Sequence, residues 1–576
     1  MSKVKTHLFT FERHRLIAGV FIVLFLALGM RLEQLQIASH AFYFGQTEGQ
    51  HLDTGTPALR GEIKIMDKLT PEPIAVATNI ELPLIYAVPK NIKDPLVTSK
   101  LLAPLLKMDE QTLLTKLSDK SKVYVPLAKG VVEKDLEAIT KLNLTGINTD
   151  TETARFYPEG TLLAHVLGFV GYRSDTGSGK VGVYGLERKY DALLVGKPGG
   201  TTGSRFKNFF SSQKGFIPAK NGSQLVLTID RLIQLQAEQV LSKAVEDNQA
   251  DGGCVSVMDP KTGAVLAMAS NPTYNLNEYS KVQDESNYIN SCTTSNYESG
   301  SVFKAVTMAA GIDTGKVGPD TTYNDTGQVV VDGYTIKNSD NKGHGLQTMS
   351  QVLEESLNTG VIFVKQKLGN KTFLDYVKRF GFGQNTGVDL PESSGNIKNL
   401  DGNIEVNFDT ASFGQGISVT PLQLLRAYSA IANGGRLPTP YVVASQVSPS
   451  GETIDTKPKL SDQIISTKTA STLSAMLVGV VERGHGKRAG VKGYYVAGKT
   501  GTAQVAKSDG RGYDPTNNIG TFVGFAPVED PKFVMIVRVN HPRTVQFAES
   551  TAAPAWGKLA QFLLSYYNVV PNRQIK

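Results

Sequence analysis

Cysteine is almost absent. Cys254 and Cys292 are the only two in 576 residues, which excludes zinc ribbons, iron–sulfur clusters and a dense disulfide framework. Cys254 lies in Gly252-Gly253-Cys254-Val255-Ser256-Val257-Met258, which alternates like a strand, and reads as a small core residue. The eight histidines never form His-Glu-x-x-His or another ligand spacing. No metal and no other cofactor is expected.

Clustered charge is missing as well. Lys3, Lys5, Arg13, Arg15 and Arg31 against Glu12 account for +4 of the net +7. The remaining 545 residues therefore carry only +3, and a nucleic-acid footprint needs clustered excess charge on the folded part. Nucleic acid is not an expected partner. With 20% charged and 40% hydrophobic residues the chain reads as globular, long enough for about three or four domains.

Long apolar runs are absent but for one. Residues 16–30 carry no polar side chain, short of the ~20 that a bilayer span needs. Arg15 and Arg31 can snorkel, and Leu32 and Leu35 continue the apolar character, so 16–37 is expected to be a retained membrane anchor. Basic residues before it place 1–15 in the cytoplasm and the rest outside. A cleaved signal peptide is the alternative, but Ala27-Leu28-Gly29 lies inside the run and makes a poor cleavage site.

Beyond the anchor, 38–235 reads as a mixed α/β non-catalytic domain, 236–566 as a larger domain of sheet plus helices, and 567–576 as a tail. Strands are expected at Leu84–Val88, 254–259, 264–269, 521–525 and 533–539, and helices at Val131–Leu142, Leu232–Val245 and from Pro421 to Ile431. Thr420 and Pro421 are a helix start, and Asn433-Gly434-Gly435 a helix stop. Between the domains, Leu193–Ile229 contains bases and phenylalanines but no acid before its end, and reads as an extended hairpin linker.

Several motifs are decoys. Gly177-Ser178-Gly179-Lys180-Val181-Gly182 fits a dinucleotide fingerprint but lacks the acid about 20 residues on. Gly493-Tyr494-Tyr495-Val496-Ala497-Gly498-Lys499-Thr500 fits a phosphate loop, yet its middle is strand-like and no helix opens after it. Ser-x-x-Lys recurs, for example at Ser204/Lys207 and Ser339/Lys342. Only Ser301-Val302-Phe303-Lys304 opens a long apolar helix. One helical turn puts Ser301 and Lys304 on one face. A lysine among Val302, Phe303, Val306 and Met308 is penalised for its charge, so its proton affinity should fall. A neutral lysine beside a serine hydroxyl is a general base for a nucleophile.

Downstream stand Ser356-Leu357-Asn358 and Lys499-Thr500-Gly501. The order Ser-x-x-Lys, Ser-x-Asn, Lys-Thr-Gly in one domain is a strong joint signal. With these motifs the chain resembles the class B penicillin-binding proteins, the monofunctional peptidoglycan D,D-transpeptidases, and is most similar to the septal division type. Arg60-Gly61-Glu62-Ile63, Arg155-Phe156-Tyr157-Pro158, Gly185-Leu186-Glu187-Arg188, Gln234, Phe413-Gly414-Gln415-Gly416 and Phe522-Val523-Gly524-Phe525-Ala526-Pro527 extend the resemblance over nearly the whole chain. It departs after Ile63, where Lys64-Ile65-Met66-Asp67-Lys68 stands for the family's Asp-Arg-Asn-Gly.

The resemblance implies an elongated α/β pedestal below a serine transpeptidase domain whose antiparallel sheet is flanked by helices. It implies Ser301 as nucleophile, Lys304 as base, and Ser356 and Asn358 as proton relay and peptide holder. Lys499, Thr500, Gly501 and Thr502 would form the carboxylate-binding strand, and the N–H groups of Ser301 and Thr502 the oxyanion hole. The substrates implied are D-Ala-D-Ala stem peptides and β-lactams; the implied partners are a membrane-embedded glycan polymerase and division proteins. Two other functions use the same motifs. A carboxypeptidase or β-lactamase would pass the acyl group to water, and a non-catalytic penicillin-binding scaffold would not turn over.

Overall fold

Residues 63–87 open the fold as an antiparallel pair, β1 (Ile63–Asp67) and β2 (Thr70–Ala87). The strand expected at Leu84–Val88 is the far end of this longer β2. The computed structural model describes residues 57–172, 180–202, 215–507, 512–571 and 573, with helical pieces at 18, 21–26 and 28–29. Most of the anchor expected at 16–37, Gly177-to-Gly179 of the dinucleotide pattern and 203–214 of the linker lie outside the described residues. Among the described residues no helix is long and apolar enough to cross a membrane. The described parts of the linker do pair as a hairpin, Gly200–Thr202 with Gly215–Ile217.

Around β2 the chain adds α1 (Pro95–Leu106), α2 (Glu110–Ser118), β3 (Val125–Lys129), α3 (Glu133–Lys141) and β4 (Ile147–Phe156). Local chemistry sets the helix starts. Asp94 accepts from the N–H groups of Leu96 and Val97 ahead of Pro95, and Asp109 accepts from Thr112. β3 and β4 both pair with β2, and Ile85, Leu102, Leu113, Leu117 and Ile139 form a small core between sheet and helices.

Three distant segments of the sequence meet at one buried acid. Glu187 is fully buried and takes Arg60 Nε on one oxygen and Arg155 Nε on the other, each at 2.7 Å. Arg60 reaches Asp191 as well, at 2.8 Å. Removing one partner of such a buried cluster leaves an uncompensated charge, which costs more than the pair itself contributes.

β5 (Gln224–Asp230) runs parallel to β1, and Asp230 caps α4 (Arg231–Asp247). There follow β6 (Gly252–Met258), β7 (Val265–Asn271), α5 (Lys304–Asp313), α6 (Met349–Glu354), α7 (Asn358–Leu368) and α8 (Pro421–Ala432), then β8 (Val443–Val447) and β9 (Thr453–Asp455). The chain closes with α9 (Thr467–Glu482), β10 (Ala497–Ala506), β11 (Tyr513–Ala526), β12 (Phe533–Asn540) and α10 (Ala552–Tyr566). Thr420 and Gln423 cap α8 reciprocally, as its sequence implies. One sheet has the order β9-β8-β5-β1-β2-β3 with β4 also on β2, so residues 443–455 extend the sheet of the N-terminal region.

The second sheet, β7-β6-β12-β11-β10, is antiparallel throughout. Its residues alternate between two cores, as the period of a strand requires. Val255, Val257, Met535 and Val537 face α4 and α10, where Trp556 donates to Met535 O at 2.9 Å. Cys254, Met258, Val534 and Ile536 face the core shared with α5, α8 and α9. Both cysteines are free and fully buried. Gln234 binds this layer to α4 by hydrogen bonds with the N–H and carbonyl of Met268.

Candidate active site

Ser301 does not begin an α-helix. Gly300–Phe303 form one 3₁₀ turn, and α5 starts at Lys304. Gly300 has φ +58°, and a Cβ there would lie 3.0 Å from Thr502 O. The tight turn therefore follows from how closely the chain approaches β10. In a 3₁₀ turn residues i and i+3 eclipse, so Ser301 and Lys304 still share a face. Gly414, at φ +80°, backs the turn: its carbonyl accepts from Gly300 N at 3.1 Å, and a Cβ on it would lie 2.4 Å from Gly300 O. Gly501 allows the same approach from β10, where a Cβ would lie 2.8 Å from Ser299 O. From α8, Tyr428 donates its hydroxyl to Val302 O at 2.8 Å. The turn is fixed from three sides.

Two buried lysines meet at Ser356. Lys304 Nζ donates to the Ser356 carbonyl and lies 3.3 Å from Ser356 Oγ. Lys499 Nζ donates to Ser356 Oγ at 2.9 Å and to Thr500 O at 3.1 Å. Both lysines are fully buried. Burial, and then the charge of Lys499, push Lys304 well below its ordinary value, which favours its neutral form. Burial pushes Lys499 down to about 7. Ser356 reaches both from the α6–α7 link with φ +57°, a left-handed conformation uncommon for serine. Ser301 Oγ makes no hydrogen bond among the described residues; catalytic contacts often tighten only with substrate.

Ser301, Ser356, Thr500 and Thr502 line one cleft of about 370 Å³. Thr502 Oγ1 accepts from Ala548 N at 3.0 Å, which ties the strand to the segment ahead of α10. Asn358 opens α7 with its amide on Lys337 O at 2.8 Å and does not line the cleft. The sequence reading missed the rim. Asp340 and His344 pair at 2.9 Å, His485 lies 3.2 Å from Glu549 and 3.9 Å from Glu355, and Phe547 stands exposed beside them. Only Glu355, next to Ser356, carried a sequence cue to its place. The phosphate-loop pattern ends inside β10, with Gly498, Lys499 and Thr500 in strand and no helix after them. It is not a nucleotide-binding loop.

The fold and this constellation of serines and lysines define a serine acyltransferase of the penicillin-recognising type. Comparison with known proteins agrees. Residues 253–561 match the penicillin binding protein transpeptidase domain, and residues 56–227 the penicillin-binding protein dimerisation domain. The chain belongs to the penicillin-binding protein transpeptidase family, and the two domains in this order make it class B. It is 36% identical over 525 residues to stage V sporulation protein D of Bacillus subtilis, covering 89% of this chain and 79% of that protein. With the peptidoglycan D,D-transpeptidase FtsI of Escherichia coli it shares 29% identity over 511 residues, 86% and 82% of the two chains. Its fold superposes on penicillin binding protein 3 of Mycobacterium tuberculosis, complexed with aztreonam, with TM-score 0.70 and 28% identity, covering 91% and 99%.

Proposed function

We propose that the protein is a peptidoglycan D,D-transpeptidase of septal cell-wall synthesis. The observation that carries this reading is Ser356 Oγ within reach of both buried lysines, in the cleft that Ser301 lines from the turn ahead of the apolar helix. A neutral Lys304 takes the Ser301 proton, directly or through Ser356, as Ser301 Oγ attacks the carbonyl of the penultimate D-Ala. The backbone N–H groups of Ser301 and Thr502 receive the oxyanion. As it collapses, the C–N bond breaks, the proton passes to the leaving amine, and D-Ala departs from a Ser301 ester. An acceptor amine then attacks the ester and gives its proton back through the same groups.

The terminal carboxylate of the donor is held by the hydroxyls of Thr500 and Thr502, with Lys499 supplying positive charge from beneath the strand. Gly501 keeps that strand against the nucleophile turn. Asn358 shapes the α6–α7 link through its bond to Lys337 O. Residues 16–37 hold the protein in the cell membrane with 1–15 in the cytoplasm, and a membrane-embedded glycan polymerase and division proteins work beside it. Transpeptidase and hydrolase part at the second step. With a stem-pentapeptide donor and a stem-peptide amine acceptor, the account expects cross-linked dimer to form. Release of tetrapeptide and D-Ala alone, with no dimer, would assign the protein to the hydrolases.

A further inference from the structure

Arg538 is a buried cation. It sits in β12 between Cys254 of β6 and Thr521 of β11, and only 4% of it is exposed. Its Nε and Nη1 have no hydrogen-bond partner, and no carboxylate pairs with it among the described residues. The Tyr297 ring lies 4.9 Å from its guanidinium. A guanidinium does not lose its proton to escape burial, and a buried charge left unpaired is costly.

A pocket of about 240 Å³ opens beside it, lined by Arg538 with Ser270, Ser286, Asn287, Ser291, Ser295 and Asn540. Asn540 Oδ1 is also buried and unpartnered. Unmet donors and an unmet acceptor thus belong to two residues of one small polar pocket. Asp251 also lines the pocket but is already paired with His541 at 2.8 Å and with Arg543, and no ion pair joins it to Arg538. The pocket is separate from the cleft that holds Ser301.

The geometry points to a binding site here for a small oxyanion that also carries a proton to donate. The oxyanion meets Arg538, the donated proton meets Asn540 Oδ1, and the serine hydroxyls complete the shell. Hydrogen phosphate and the carboxylate of a free amino acid share this chemistry, and the site does not depend on the transpeptidase assignment. Among the described residues, the thiols of Cys254 and Cys292 also interact with Arg538 and could supply a negative charge.

The test is calorimetric titration of the full chain with inorganic phosphate and, separately, with D-alanine. Saturable one-to-one binding of either is expected, and whichever binds identifies the source. Arg538→Gln should weaken it by about 10- to 100-fold, the loss of a charge-assisted hydrogen bond, and Asn540→Ala should weaken it less. If Arg538→Gln does not fold, Asn540→Ala and Ser295→Ala decide. No saturable binding by the folded wild type, or binding unchanged in the folded variants, overturns the proposal. So does selective alkylation of Cys254 in the native protein at neutral pH, because a thiolate would then be the counter-ion.

Discussion

Lys499 Nζ lies 2.9 Å from Ser356 Oγ, so the last of the three motifs touches the second. The same hydroxyl is 3.3 Å from Lys304 Nζ, which closes the link back to the first. Ser356 is therefore the point through which the two lysines communicate. Ser356→Ala should slow acylation by penicillin about 10²- to 10⁴-fold, the usual scale for a lost proton-transfer group. Stopped-flow acylation rates check this, and a rate within about threefold of wild type, well short of the smallest loss expected, would remove Ser356 from the proton path.

Lys499 gives the reaction a pH dependence of definite sign. Its charge helps hold the substrate carboxylate, and it loses that charge as pH rises through about 7. Acylation should decline on the alkaline side of about pH 7, and a rate that stays flat well into the alkaline range would contradict the role given to Lys499.

The same shift bears on stability. The folded value of Lys499, about 7, is below its ordinary 10.5. Between the two the unfolded chain binds more protons, so stability should rise with pH across that window. Below about 7 the cost of the buried charge is fully present. Lys499→Met at neutral pH should keep or raise the melting temperature while acylation falls. A clear drop in melting temperature would show that the buried charge stabilises the fold.

Gly414 supports the nucleophile turn from outside the three motifs that hold the serines and lysines of the site. Its φ of +80° and the 2.4 Å approach of a Cβ to Gly300 O leave no room for a side chain. Gly414→Ala should destabilise by about 1–3 kcal/mol and slow penicillin acylation in the molecules that remain folded. Denaturant melts and acylation rates measured together test it; an unchanged acylation rate would mean the turn holds without this support.

In the N-terminal region, Glu187 pairs with both Arg60 and Arg155. Glu187→Gln should cost about 3–5 kcal/mol, the usual result of orphaning a buried charge. Acylation per folded molecule should stay unchanged. Loss of acylation without loss of stability would give this cluster a catalytic part.

Most elements were legible because their signals are local. The cap at Thr420, the short apolar run in 533–537 and the apolar run after Lys304 each depend on a few neighbouring side chains. The 3₁₀ turn at Ser301 was not legible, since it is imposed by Gly414 and Gly501 from distant segments. The sequence also sets Gly493 before the strand without revealing its φ of +92°. In the site, the motifs named the groups below Ser301, but which side chains face the cleft depends on tertiary packing. His485 and Glu549 reach the rim from the end of α9 and the segment before α10, with no spacing that links them to Ser301. Asn358 shows the converse, a motif residue whose amide is engaged by the backbone of a neighbouring hairpin.

The central claim is that Ser301 is the acylated residue. The direct measurement is labelling with a fluorescent penicillin, followed by mass spectrometry of the labelled peptide, on wild type beside Ser301→Ala. The account predicts one label, on the peptide carrying Ser301, and none on the variant at an unchanged melting temperature. A label on another serine, or one retained by folded Ser301→Ala, would contradict it.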